Sequence, residues 1–153
     1  MFARIPFRLS LACLALTGAA FVAAACGDDD DGGNSEEASF RITKKAPNDT
    51  VKVDMIEFKM MPDKPSVAAG PTKFIATNKS TAMVHELAVL RVKDDGTFEN
   101  TGEVEDVAIG QTGEIVLDLP AGKYVLACLL VPGEAGSTVD HFKEGMKIDF
   151  EVK

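Results

Sequence analysis

From about residue 50 onward, apolar and polar positions alternate in short bursts separated by turn-forming residues. Thr50 to Met60 (TVKVDMIEFKM) sets Val51, Val53 and Met55 in one phase and Ile56, Phe58 and Met60 in the other. A period of two that slips by one residue predicts a strand with a bulge or bend near Met55–Ile56. Ser66 to Ala69 reads as a short edge strand between turns at Met61–Pro65 and Gly70-Pro71. Thr72 to Asn78 is a strand that ends in the polar stretch Asn78-Lys79-Ser80-Thr81. Val84 to Val92, which contains His85, is a long apolar run with the character of a central strand. A polar loop over Lys93 to Gly102 leads to strands at Glu103–Ile109 and Glu114–Leu119, with a Gly110–Gly113 turn between them. Lys123 to Leu130 then places Tyr124, Leu126 and Cys128 on one face, with Tyr124 expected as a core or corner tyrosine whose hydroxyl bonds to backbone. At the C-terminus Ile148, Phe150 and Val152 alternate with Lys147, Asp149 and Glu151, so one face is predicted buried and the other wet. One helical turn is suggested near Thr138–Glu144. Seven or eight short strands without internal repeat predict an all-β fold, a Greek-key β-sandwich.

The first 25 residues follow a different pattern. Arg4 and Arg8 precede an apolar run, Leu9 to Ala25, that ends in small residues, as a secretory signal does. The sequence Val22-Ala23-Ala24-Ala25-Cys26-Gly27 resembles a bacterial lipobox, which implies cleavage before Cys26 and a lipid on its sulfur. Gly27 to Ser39 (GDDDDGGNSEEAS) is almost free of apolar residues and self-repelling, and reads as a disordered spacer rather than a cation site. Three regions result: a lipoprotein signal over 1–25, a lipidated cysteine and acidic linker over 26–39, and one folding domain over 40–153. The formal charge of −8 becomes −10 once Arg4 and Arg8 leave with the signal. Such acidity argues against nucleic acid and anionic lipid surfaces as partners.

Chemistry-bearing residues are few. The chain has three cysteines and two histidines. On that reading Cys13 would depart with the signal and Cys26 would carry lipid, leaving Cys128 as an unpaired thiol in an exported protein. Burial as a small hydrophobe is one explanation and metal ligation is the other. His85 lies upstream, while Cys128, His141 and Met146 fall within the last 26 residues. Two imidazoles, a thiolate and a thioether are the donor set of a trigonal His2Cys copper site with a long axial methionine.

Four stretches resemble the cupredoxins, especially plastocyanin- or azurin-like domains of bacterial lipoproteins. They are Phe58–Gly70 (FKMMPDKPSVAAG), Asn78–Leu90 (NKSTAMVHELAVL), Leu119–Cys128 (LPAGKYVLAC) and His141–Met146 (HFKEGM). In that family a histidine follows an Asn-containing turn, a Leu-x-x-Gly-x-Tyr-x-x-x-Cys strand delivers the thiolate, and a His-x4-Met loop closes the site. The resemblance implies His85, Cys128, His141 and Met146 as ligands of one copper ion. Twelve residues separate Cys128 from His141, more than in common family loops, and Pro132-Gly133-Glu134 stands near where many relatives have Pro-Gly-His. Either Gly133–Asp140 is an insertion and His141 ligates, or Glu134 occupies the ligand position. The surviving His-x4-Met spacing favours the first. Glu86 follows His85 where Asn is frequent in relatives, which alters the expected hydrogen bonding around the site.

The expectation is a monomeric, membrane-tethered blue-copper carrier of single electrons, anchored outside the cytoplasmic membrane and served by redox partner proteins. The competing expectation is a non-redox cupredoxin-like module, one that captures or delivers copper or one that lacks metal and serves as a protein-interaction subunit. Catalysis is not expected, because no nucleophile or acid–base pair has recognisable spacing and a filled His2CysMet set leaves no open position.

Overall fold

Alternation in the sequence becomes two facing sheets in the structure, a computed structural model that describes residues 41–153. The signal segment, Cys26, the acidic linker and Phe40 lie outside the described residues. Ten strands form: β1 (Arg41–Ile42), β2 (Asp49–Ile56), β3 (Lys59–Pro62), β4 (Ser66–Val67), β5 (Gly70–Asn78), β6 (His85–Val92), β7 (Phe98–Val107), β8 (Thr112–Leu119), β9 (Gly122–Ala127) and β10 (Lys147–Val152). Eight of them have four or more residues. One sheet has the order β1-β8-β5-β2-β3 and the other β4-β10-β9-β6-β7. Pairing is antiparallel except for β2 with β5 and β4 with β10.

The core lies between the sheets. Val51, Val53 and Met55 of β2, Phe74 and Ala76 of β5, and Leu117 and Leu119 of β8 project into it from one side. Leu87 and Val89 of β6, Tyr124 and Leu126 of β9, and Phe150 and Val152 of β10 meet them from the other. Tyr124 donates its hydroxyl proton to the Pro120 carbonyl at 2.8 Å, which satisfies its one polar atom inside the core. The opposite faces of β6 and β9 are also covered: Ala88, Leu90, Val125 and Ala127 pack with Val92, Leu129 and Phe142. Burial on both faces explains why β6 reads as a continuous apolar run rather than an alternating one.

Several details depart from the sequence-based expectations. The phase slip at Met55–Ile56 is no bulge. β2 and β3 pair as Met55↔Met60 and Ile56↔Lys59, so Glu57 and Phe58 form a two-residue hairpin connection and the strand reverses. Phe58 takes a left-handed backbone (φ 53°), unusual for an aromatic residue. Bulges occur in β7 instead, where register shifts between His85 and Leu87 and between Val89 and Leu90 of β6. The 93–102 loop is shorter than expected, because Phe98–Gly102 pairs with β6 and only the Lys93–Thr97 turn is free of the ladder. The strand expected over Lys123–Leu130 ends at Ala127. Ile148 is exposed, since β4 flanks β10 only at Glu151 and Val152 and leaves its neighbourhood as an open edge.

Candidate metal centre

Two separate pieces of chain deliver the polar residues to one end of the sandwich. The first begins at Asn78, the fully buried last residue of β5. Its Nδ2 donates to the carbonyls of Met83 (2.9 Å) and Val107 (2.8 Å), and its Oδ1 accepts the Ser80 N–H (2.9 Å). Ser80 Oγ then donates to Glu57 Oε1 (2.7 Å) and accepts from Ala82 and Met83 N–H. Glu57 also accepts the Thr81 N–H, and these bonds hold its carboxyl down at about 2. The connection is thus tied at every turn before β6 opens with His85. Opposite, His85 pairs with Val107 and Leu87 with Val104, so β7 carries one extra residue across from Glu86. Asp106, at φ 49°, supplies the local left-handed bend.

The second piece is the segment from Cys128 to Met146. The core-facing alternation of β9 sets Cys128 on the face of Tyr124 and Leu126. Its N–H donates to the Met146 carbonyl (3.0 Å), and the N–H of Met146 donates to the His141 carbonyl (2.9 Å). The His141 N–H returns to the Leu130 carbonyl (2.9 Å). A single helical turn follows, marked by Glu144 N–H on the Asp140 carbonyl and Lys143 N–H on Asp140 Oδ1. It falls where the sequence suggests a turn of helix.

These pieces bring His85, Cys128 and His141 together, all fully buried, with one donor atom from each inside 4.8 Å of the others. Cys128 Sγ is 3.2 Å from His141 Nδ1, and the two Nδ1 atoms are 3.3 Å apart. Nitrogen and sulfur bound to one metal at about 2.0–2.3 Å in a trigonal plane are separated by about 3.5–3.8 Å. The observed spacings are a few tenths of an ångström tighter, so the donors fit around a single ion. Met146 is fully buried in the same core and joined through its backbone to both Cys128 and His141. Glu134 is not in the group. It is exposed, accepts the Val131 N–H at 3.3 Å, and borders an acidic cleft with Glu86, Glu103 and Glu105. Of the two loop alignments, the geometry matches the enlarged loop with His141 inside.

The surroundings keep all three donors neutral without a metal. Burial, reinforced by the nearby His141 and opposed by Glu57, holds His85 down at about 4. Burial likewise lowers His141, against the pull of Asp140. Burial pushes the Cys128 thiol up to about 11, partly offset by the N–H groups of Glu86 and Leu130. Glu86, itself raised by burial, accepts the Leu129 N–H at 2.7 Å and thereby ties β6 to the residue after Cys128. A carboxylate therefore makes this cross-link where the family resemblance leads one to expect an amide.

Two neighbours of His141 had no sequence signal. The Phe58 ring meets it edge-on, with centroids 5.5 Å apart at 85°. Ser137 Oγ lies 3.0 Å from its Nε2. The corresponding nitrogen of His85 is buried without a hydrogen-bond partner among the described residues.

No protein-family model matches the sequence, and no curated protein is significantly similar to it. Solved structures are similar in fold. Dithionite-reduced auracyanin from the photosynthetic bacterium Roseiflexus castenholzii superimposes with a TM-score of 0.54 at 19% identity, over 71% of this chain and 99% of that one. Auracyanin B gives 0.56 at 16% identity, over 73% and 94%. Both are cupredoxins, and the fold of this chain is the cupredoxin β-sandwich.

Proposed function

We propose that the chain is a type 1 copper protein that carries single electrons, with His85, Cys128 and His141 as equatorial ligands of one copper ion and Met146 as the axial one. The observation that carries this reading is the convergence of the three buried donors within 4.8 Å, drawn from β6 and from the Cys128–Met146 segment. Soft sulfur donors and two imidazoles form a set acceptable to both Cu(I) and Cu(II), so bound copper would supply a one-electron couple. The protein's part is to hold the donors still. Cys128 and His141 are pinned by backbone bonds, and His85 sits at the start of a strand covered on both faces. Rigid donors that need little rearrangement favour electron transfer over copper delivery, and full burial leaves no place for a substrate. The reduced state in which a structural neighbour was solved is in keeping with a redox role. We further propose that a lipid on Cys26 and the acidic linker tether the domain outside the cytoplasmic membrane, within reach of redox partner proteins.

Adding Cu(II) to the domain and recording visible absorption and electron-spin spectra tests the reading. The expected result is one tightly held copper with an intense thiolate-to-metal band that vanishes in Cys128→Ser. Colourless protein, or copper that exchanges rapidly with a chelator, would overturn it in favour of a metal-free or delivery module.

A further inference from the structure

The enlarged loop between Leu130 and His141 does more than span a distance. Its turn is built on left-handed residues, Gly133 (φ 99°), Ala135 (φ 46°) and Gly136 (φ 77°). Ser137, which follows, is fixed on both sides of its backbone: its N–H donates to the Glu134 carbonyl (2.7 Å), and its carbonyl accepts the Gly133 N–H (2.9 Å). The side chain is therefore aimed rather than free. Its Oγ is 2.7 Å from the Val139 carbonyl, 3.2 Å from the Val139 N–H and 3.0 Å from His141 Nε2.

A serine hydroxyl has one proton and two lone pairs. The Val139 carbonyl can only accept, so the hydroxyl proton goes there. Both lone pairs then face donors, the Val139 N–H and His141 Nε2. The imidazole nitrogen must carry the hydrogen for that contact to be a hydrogen bond, and a neutral ring protonated at Nε2 is bare at Nδ1. That bare nitrogen points at Cys128 Sγ and His85 Nδ1. Among the described residues His85 has no such partner on its outer nitrogen, so the two imidazoles are held differently.

From this geometry we infer that Ser137 is a positioning residue that locks His141 in the Nε2-protonated tautomer and fixes its ring plane, so that the Nδ1 lone pair is presented to a metal before any metal arrives. The inference rests on the copper reading for its purpose, but the tautomer itself belongs to the metal-free protein. Hydrogen-bond partners of metal-binding histidines commonly fix tautomer and orientation, and losing one costs about 10- to 100-fold in metal affinity.

The test has two independent arms on the folded protein at pH 8. In the first, long-range nitrogen–proton correlation spectra of the metal-free protein report which nitrogen of each imidazole is protonated. The expected result is a single Nε2–H tautomer at His141, converted to a mixture in Ser137→Ala and restored in Ser137→Thr. In the second, copper affinity is measured by chelator competition, with the electron-spin spectrum and reduction potential recorded alongside. Ser137→Ala should bind about 10-fold more weakly with altered spectral parameters and a shifted potential, and Ser137→Thr should return towards the parent. An Nδ1–H tautomer at His141 in the parent protein, readable even if Ser137→Ala fails to fold, would overturn the inference. So would a Ser137→Ala protein with unchanged tautomer, or one with unchanged copper affinity. Failure of the parent to bind copper would instead sink the functional reading and leave the tautomer result standing.

Discussion

Asn78 offers the sharpest test of how the upstream histidine is held. Substituting alanine removes two donated bonds, to Met83 and Val107, and one accepted from Ser80, all made by a side chain with no solvent exposure. At a net value near 1 kcal/mol each, the loss is about 3 kcal/mol, and more if the abandoned groups stay dry. For a domain of this size that corresponds to a melting temperature lower by about 10–15 °C. Urea unfolding of the metal-free domain, followed by far-UV circular dichroism, measures it directly, provided the slope against denaturant is unchanged. Thr77→Ala, which removes only an exposed hydroxyl contact to Thr112, is the control and should stay within about 0.5 kcal/mol of the parent. Because the tied segment runs straight into His85, Asn78→Ala should also weaken copper binding, whereas Thr77→Ala should not. A loss below about 1 kcal/mol for Asn78→Ala would refute the claim that this side chain braces the loop.

Other outcomes follow from the titrating groups. His85 is held near 4 in the folded state against 6.5 ordinarily, so the unfolded chain takes up the proton first and stability falls as pH drops through that window. His85 alone should take about 2 kcal/mol from the metal-free domain between pH 7 and pH 5, read by urea unfolding as the difference between the parent's pH profile and that of His85→Gln; identical profiles would contradict this. Since the Cys128 thiol is protonated and both imidazoles are neutral at pH 8, uptake of each Cu(II) should release one proton to a pH indicator, and Cys128→Ser should release none. Glu86→Gln keeps an acceptor for the Leu129 N–H while removing a buried charge from the vicinity of Glu103, Glu134 and Glu105, so its stability at neutral pH should equal or exceed the parent's. Glu86→Ala strips that N–H of its acceptor and should cost about 1–2 kcal/mol in the same assay.

The sandwich is readable wherever period-two alternation meets a one-sided core. Tyr124 and Leu126 on β9 with Cys128 just beyond its end, and Phe150 and Val152 on β10, fall on the face that the sequence assigns them. The continuous run in β6 is equally legible, because a strand buried on both faces has no polar phase. The β2–β3 hairpin escapes notice because its connection, Glu57-Phe58, lacks the Gly or Asn that normally marks a left-handed turn position. Phe58 instead occupies it and lays its ring against His141. Ile148 fits the alternation but not the edge, since strand period carries no information about where a neighbouring strand stops. The bulge opposite Glu86 depends on a register between β6 and β7 that neither strand encodes alone. At the candidate site, the long loop sets Glu134 against His141, the His-x4-Met spacing favours His141, and the path of the loop brings it to His85 and Cys128. Ser137 is invisible for a simpler reason: a serine four residues before a histidine is an ordinary occurrence until a turn aims its hydroxyl.

The paired backbone bonds at the foot of that loop have a consequence for how such sites can be altered. His141 N–H on the Leu130 carbonyl and Cys128 N–H on the Met146 carbonyl form a neck that closes below the excursion. Chain length above the neck is then decoupled from donor placement below it. Loops of different size could be exchanged between Val131 and Asp140 with the sulfur and nitrogen positions kept, which makes the segment a modular graft site. What such an exchange would not preserve is the one feature the excursion sends back down, the hydroxyl on His141.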